Sequence, residues 1–238
     1  MIQALIYIII GYFLLGAIAI AIINKRNTNY KAQDRWTKYV FYLIVVICTV
    51  IFIYFKSLPY LSLFILGIGL KEVIMAWKKS EIRSKTLLIK ALLYFGITGA
   101  AFFYYSTVEL TDFHLFVYTI VFVFDGFAQI SGQLFGKHKI FPKISPEKTG
   151  AGIAGGYISA LITAYLIADI INVNANKSIF MALIIATAAM IGDLSASLFK
   201  RKCNIKDYSN LIPGHGGILD RFDSYILAGA VSLIFIEG

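Results

Sequence analysis

A chain of 238 residues with 59% hydrophobic side chains and a mean hydropathy of +0.77 has more apolar surface than one soluble core of that size can bury. An ordinary soluble domain is excluded, and the bilayer becomes the solvent. The formal charge of +9 reflects 22 Lys and Arg against 13 Asp and Glu. These cations fall in connections between apolar runs, which favours an anionic membrane surface and phosphorylated substrates over nucleic acid.

A spanning helix needs roughly 20 apolar residues. Punctuation along the chain predicts eight such runs: 2–23, 38–55, 58–77, 87–105, 113–135, 150–171, 178–199 and 218–236. The first is too long for a signal-peptide core and precedes Lys25 and Arg26, so it is read as a mature span. The last has the shortest uninterrupted apolar part, 225–236. The expected fold class is therefore all-α: a polytopic integral membrane protein with about eight transmembrane helices. Helices one to four (1–105) and five to eight (106–238) are expected to form one functional unit.

The connections alternate in charge. Lys25, Arg26, Lys31 and Arg35 follow the first run; Lys78, Lys79, Arg83 and Lys85 follow the third. Lys137, Lys139, Lys143 and Lys148 follow the fifth, and Lys200, Arg201, Lys202 and Lys206 follow the seventh. Even-numbered connections carry at most one cation. By the positive-inside rule the odd connections face the cytoplasm and both termini lie outside it. Cys48 and Cys203 have neither metal-ligand spacing nor a disulfide framework. No internal repeat of the kind many secondary transporters show is visible.

A carboxylate within a span is expensive and usually faces a polar cavity or a partner. Asp169, near an outer end, reads as interfacial. Glu72 follows Lys71 and reads as a local ion pair or a snorkelling group, with a site role as the alternative. Asp125 shares its run with Gln129, Ser131 and Gln133; a hydrogen bond between helices is the competing explanation. Asp193 is followed at helical spacing by Ser197, Lys200 and Arg201, so carboxylate, hydroxyl and cation can line one side.

In "PGHGGILDRFDS", Pro213, Gly214, Gly216 and Gly217 impose an open turn whose amides can meet phosphate oxygens. Asp220 and Asp223, three apart, share a face of the helix that follows, and Arg221 points elsewhere. With Asp193 they make a candidate site for a hard cation bridging phosphates. The same residues would also serve a flexible loop with helix-capping aspartates. Lys200, Arg201, Lys206 and Arg221 could neutralise phosphate charge.

The run Ser197, Lys200, Arg201, Lys206, Asp207, Pro213, His215, Gly216, Gly217, Asp220, Arg221, Asp223 resembles the signature of the phosphatidate cytidylyltransferase (CDP-diglyceride synthase) family. Asp125, "GKH" at 136–138, "SPEKT" at 145–149 and the following "GAGIAGG" resemble a second conserved region of that family. Gly150, Ala151 and Gly152 stand where the family commonly has Trp-Glu-Gly, and Gly126 and Gln129 replace its usual hydroxyl residue and Tyr. The matches cover about the C-terminal half; the first four runs match only in hydrophobic character.

The resemblance implies transfer of a cytidylyl group from CTP to phosphatidate, giving CDP-diacylglycerol and pyrophosphate. It implies a bacterial-type inner or cell membrane, a site facing the cytoplasm, membrane lipids as surroundings and a homodimer as the family-level expectation. Asp193, Asp220 and Asp223 are then expected to hold Mg2+, with K+ as an alternative second cation. Lys148, Lys200, Arg201, Lys206 and Arg221 are expected to hold CTP and lipid phosphates. Ser197, His215, Gly216, Gly217 and Asp125 complete the expected substrate site. A CTP-dependent enzyme acting on another lipid phosphate, such as an isoprenoid ether phosphate, or a lipid kinase is the nearest alternative. A transporter with an intramembrane acidic site is the alternative of another class.

Overall fold

The computed structural model describes residues 2–26, 32–211 and 216–236. Among these residues eight α-helices follow one another: α1 (Ile2–Arg26), α2 (Ala32–Tyr54), α3 (Leu58–Lys79), α4 (Lys85–Thr107), α5 (Thr111–Phe135), α6 (Gly150–Leu166), α7 (Ala175–Lys202) and α8 (Leu219–Ser232). Helices satisfy their own backbone groups, which hydrocarbon cannot do for them. Among the described residues, α1–α5 and α7 are long and apolar enough to cross a membrane. The chain is a multi-pass membrane protein.

The remaining two runs depart from the predicted continuous spans. α6 has 17 residues and α8 has 14, roughly 25 and 21 Å at 1.5 Å per residue, against roughly 30 Å of hydrocarbon. Each ends in a tighter 3-10 turn, Ala168–Ile171 after α6 and Leu233–Phe235 after α8. α7 instead outruns its predicted limits and carries helix through Lys200, Arg201 and Lys202. Between α5 and α6, the basic connection forms an antiparallel pair, β1 (Lys139–Phe141) and β2 (Ser145–Thr149).

Local chemistry sets several boundaries. Ser84, Thr149 and Asn174 accept hydrogen bonds from the amides of Leu87, Gly152 and Lys177 and so cap α4, α6 and α7. Asn172 takes the left-handed conformation that closes the turn after α6.

α5 is the hub, with residues 113–124 buried on every side. It packs against α1, α2, α6, α7 and α8, which fits a helix apolar all round. Gly152 and Gly156 let α6 close on α5: a Cβ there would lie 2.6 Å from the Ala128 carbonyl oxygen and 2.9 Å from that of Phe124, respectively. α8 lies against α3, α4, α5 and α7. At Gly192 a Cβ would stand 2.5 Å from the Asp223 carbonyl oxygen, so α7 and α8 approach closely where both carry aspartates. Hydroxyl bonds tie other pairs, Ser62 with Ser106 at 2.9 Å and Tyr157 with Thr187 at 2.9 Å. Leu14, Ile44, Leu93 and Ile97 are exposed, as lipid-facing side chains are.

Candidate active site

β2, α5, α7 and α8 bring their ionisable residues to one place. Lys148, on β2, meets Asp193, on α7, at 2.6 Å with both side chains largely buried. One turn on, the Ser197 hydroxyl donates to the other Asp193 oxygen at 3.2 Å. Asp125, on α5, feels the charges of Lys148, Asp193 and Arg221. Asp223, on α8, feels those of Asp193, Lys200, Arg221 and Asp125. Three carboxylates thus share their surroundings with three cations, Lys148, Lys200 and Arg221. Burial works against the charge on Lys148, but Asp193 and Asp125 outweigh it and hold its pKa above the ordinary lysine value.

Asp220 has a more settled environment. Its Oδ1 pairs with the Lys200 ammonium at 2.5 Å, while Oδ2 accepts the amides of Tyr208 at 2.8 Å and Gly217 at 2.9 Å. Lys200 also lies 5.3 Å from the centre of the Tyr208 ring, a cation–π contact. Gly216 has φ +83, and a Cβ there would lie 2.7 Å from Asp220 Oδ2; glycine serves both the backbone angle and the close approach.

The predicted residues therefore divide. Asp125, Lys148, Asp193, Ser197, Arg221 and Asp223 assemble. Lys200 and Asp220 form a buried pair beside them. The line expected along α7 breaks at Arg201, which is exposed and donates to the carbonyls of Ile144 and Ile205. Lys206 is exposed as well. His215, Pro213 and Gly214 lie outside the described residues. Arg221, expected to point away from the carboxylates, instead acts on Asp125 and Asp223, and its Nε is buried with no hydrogen-bond partner among the described residues. Among the described residues, no group of three or more His, Cys, Asp or Glu is placed to hold a metal ion.

Two features escaped the sequence reading. Lys71 is exposed and Glu72 is buried, so no local ion pair joins them. Glu72 instead accepts hydrogen bonds from Ser209, Ile218 and Leu219. The second is a cavity of about 230 Å3 among α3, α4, α7 and α8, mainly apolar, with Lys90, Tyr94, Ser195, Lys202 and Asp223 in its wall.

Comparison with known proteins adds a chemical frame. Residues 1–237 match the profile described as the cytidylyltransferase family. A Rickettsia felis protein named phosphatidate cytidylyltransferase is 32% identical over 228 residues, covering 90% of this chain and 99% of that protein. A Staphylococcus aureus protein of the same name is 35% identical over 173 residues, 72% of this chain and 65% of its own length. A third, from Haemophilus influenzae, is 44% identical over 120 residues, 48% of this chain and 42% of its own.

Proposed function

Because the chain belongs to the cytidylyltransferase family, we propose that it transfers the cytidylyl group of CTP to phosphatidate, giving CDP-diacylglycerol and pyrophosphate. A phosphate oxygen of phosphatidate attacks the α-phosphorus of CTP, and the bond from that phosphorus to the bridging oxygen breaks as pyrophosphate leaves. The nucleophile is already an anion at neutral pH, so no Ser, Cys or His nucleophile is needed. The protein's task is to neutralise and align two polyanions.

The observation that carries this reading is the buried Arg221 Nε, which has no acceptor among the described residues. A buried N–H is costly unless paired, and a phosphate oxygen would satisfy it. Lys148, held cationic by its carboxylate neighbours, supplies a second positive group. Asp193 fixes the Lys148 ammonium, and Ser197 fixes Asp193. The Lys200–Asp220 pair secures the loop over the site through Tyr208 and Gly217.

The donor chemistry fits a hard divalent cation. Asp193 and Asp223 would hold magnesium, which typically takes one or two protein carboxylates and completes its shell with substrate phosphates and water. When bound, it would offset charge on the phosphates during transfer. Asp220 would keep one free lone pair on Oδ1 after pairing with Lys200, and its larger contribution is to the loop.

The apolar cavity beside Asp223 suits the lipid substrate. Its aliphatic wall would take the glycerol end and first methylenes, with Lys90 and Lys202 drawing the phosphate. The alternation of basic connections supports a cytoplasmic side for this site.

Label position tests the reaction. Purified protein given CTP, magnesium and phosphatidate is expected to pass α-phosphate label to lipid and release the β and γ phosphates together. Transfer of γ label to lipid with CDP release would replace this reading with a lipid kinase. Flux of a solute without CTP turnover would replace it with a transporter.

A further inference from the structure

We infer that Glu72 is a positioning residue for the reaction: from α3 it caps α8, the helix that carries Arg221 and Asp223. The N-cap position of α8 is Ile218, which provides no side-chain cap, and isoleucine is among the poorest residues there. The open amides must find acceptors elsewhere. Glu72 Oε1 accepts from the Ile218 amide at 3.1 Å and Oε2 from the Leu219 amide at 2.8 Å. The Ser209 hydroxyl donates to Oε1 at 2.6 Å, so the same carboxylate also grips the loop entering the turn.

Burial makes this a committed interaction. Glu72 is 2% exposed, and burying a carboxylate is costly unless it is hydrogen-bonded. The positive end of α8 adds a favourable field. Gly217 completes the fit: a Cβ there would run into the Glu72 carboxylate, with Oε2 only 2.7 Å away. The turn amides at 217, 218 and 219 therefore face two of the protein's own carboxylates, Asp220 and Glu72. Lys148 and Asp193 stand on other elements, so the tilt of α8 decides whether Arg221 and Asp223 meet them.

The kinetic arm of the test rests on the cytidylyl-transfer reading; the exchange arm does not. Full-length protein in nanodiscs is compared with Glu72→Gln, Gly217→Ala and the double variant. In Glu72→Gln an amide donor replaces one acceptor oxygen, and substrate-free hydrogen exchange at 218–222 is expected to accelerate about tenfold or more. Exchange in α5 and α6 should be unchanged. The turnover of folded enzyme should fall about tenfold, and the double variant should be no worse than the worse single.

Unchanged exchange at 218–222 would overturn the capping. Accelerated exchange with wild-type turnover per folded molecule would overturn the positioning role and leave a stabilising one. Multiplying defects would show that Glu72 and Gly217 act separately. If Glu72→Gln does not fold, Ser209→Ala, which removes one donor, should give the same pattern at about threefold. A wild type that caps as expected but transfers no cytidylyl group would refute the reaction and spare the capping.

Discussion

Arg221 shows how much one side chain can decide. A lysine there would keep the charge but lose the Nε–H, and its ammonium lacks the planar fork that matches phosphate. Arg221→Lys is expected to lower kcat/KM by about 10–100-fold, read as initial rates over a CTP series; wild-type values would remove Arg221 from the phosphate contacts. Lys148 allows a pH test with a definite sign. Its pKa is raised by folding, so the pair with Asp193 contributes fully below the unfolded lysine value of about 10.4 and is lost only as pH rises through the higher folded value. Between pH 7 and 9, wild type and Lys148→Arg should give parallel activity profiles; a divergence would show Lys148 titrating in that window. Sequence spacing exposed Asp193, Ser197 and Lys200 along one helix, and Asp220 with Asp223 along the next, because each set recurs at helical intervals. It did not reveal that Lys200 turns inward to Asp220 while neighbouring Arg201 turns out to Ile144. Glu72 was misread because its amide partners lie 146 and 147 positions away, and spacing carries no information at that range.

Among the elements, the contact between α7 and α8 matters most. Gly192 permits it, since any side chain would press on the Asp223 backbone. Overpacking of this kind costs about 1–3 kcal/mol, and the helices would part where Asp193 and Asp223 need to stay close. Gly192→Val is expected to keep its helical circular dichroism but lose about tenfold or more in turnover. Full activity would mean that the site does not depend on this approach. Hydropathy and chain punctuation were enough to locate the helices, because each apolar run must satisfy its own backbone in lipid. They could not show that the runs at 150–171 and 218–236 finish as 3-10 turns, nor that 139–149 pairs as a hairpin. The turn after α6 and the strand β2 pack against α5, and Thr149 caps α6; neither contact leaves a periodic signal.

At the level of the whole molecule, the N-terminal helices do more than anchor the chain. α3 supplies Glu72 to the start of α8, and α3 and α4 form one side of the cavity next to Asp223. The first four runs were readable only as hydrophobic sequence, since their contribution is made through tertiary contacts. Lys90 and Lys202 make the lipid side testable. Alanine at both should raise KM for phosphatidate about threefold or more and leave KM for CTP unchanged; a rise confined to CTP would assign the cavity to the nucleotide instead.

The proposed place of lipid cytidylylation is the cluster built from Asp125, Lys148, Asp193, Arg221 and Asp223. Its most direct test is the rate of CDP-diacylglycerol formation by purified wild type, Asp193→Asn and Asp223→Asn, each shown to be folded and supplied with CTP, magnesium and phosphatidate. Wild type is expected to make the product and both variants to fall by about a hundredfold or more. Wild-type rates in either variant would contradict the assignment of the chemistry to this cluster.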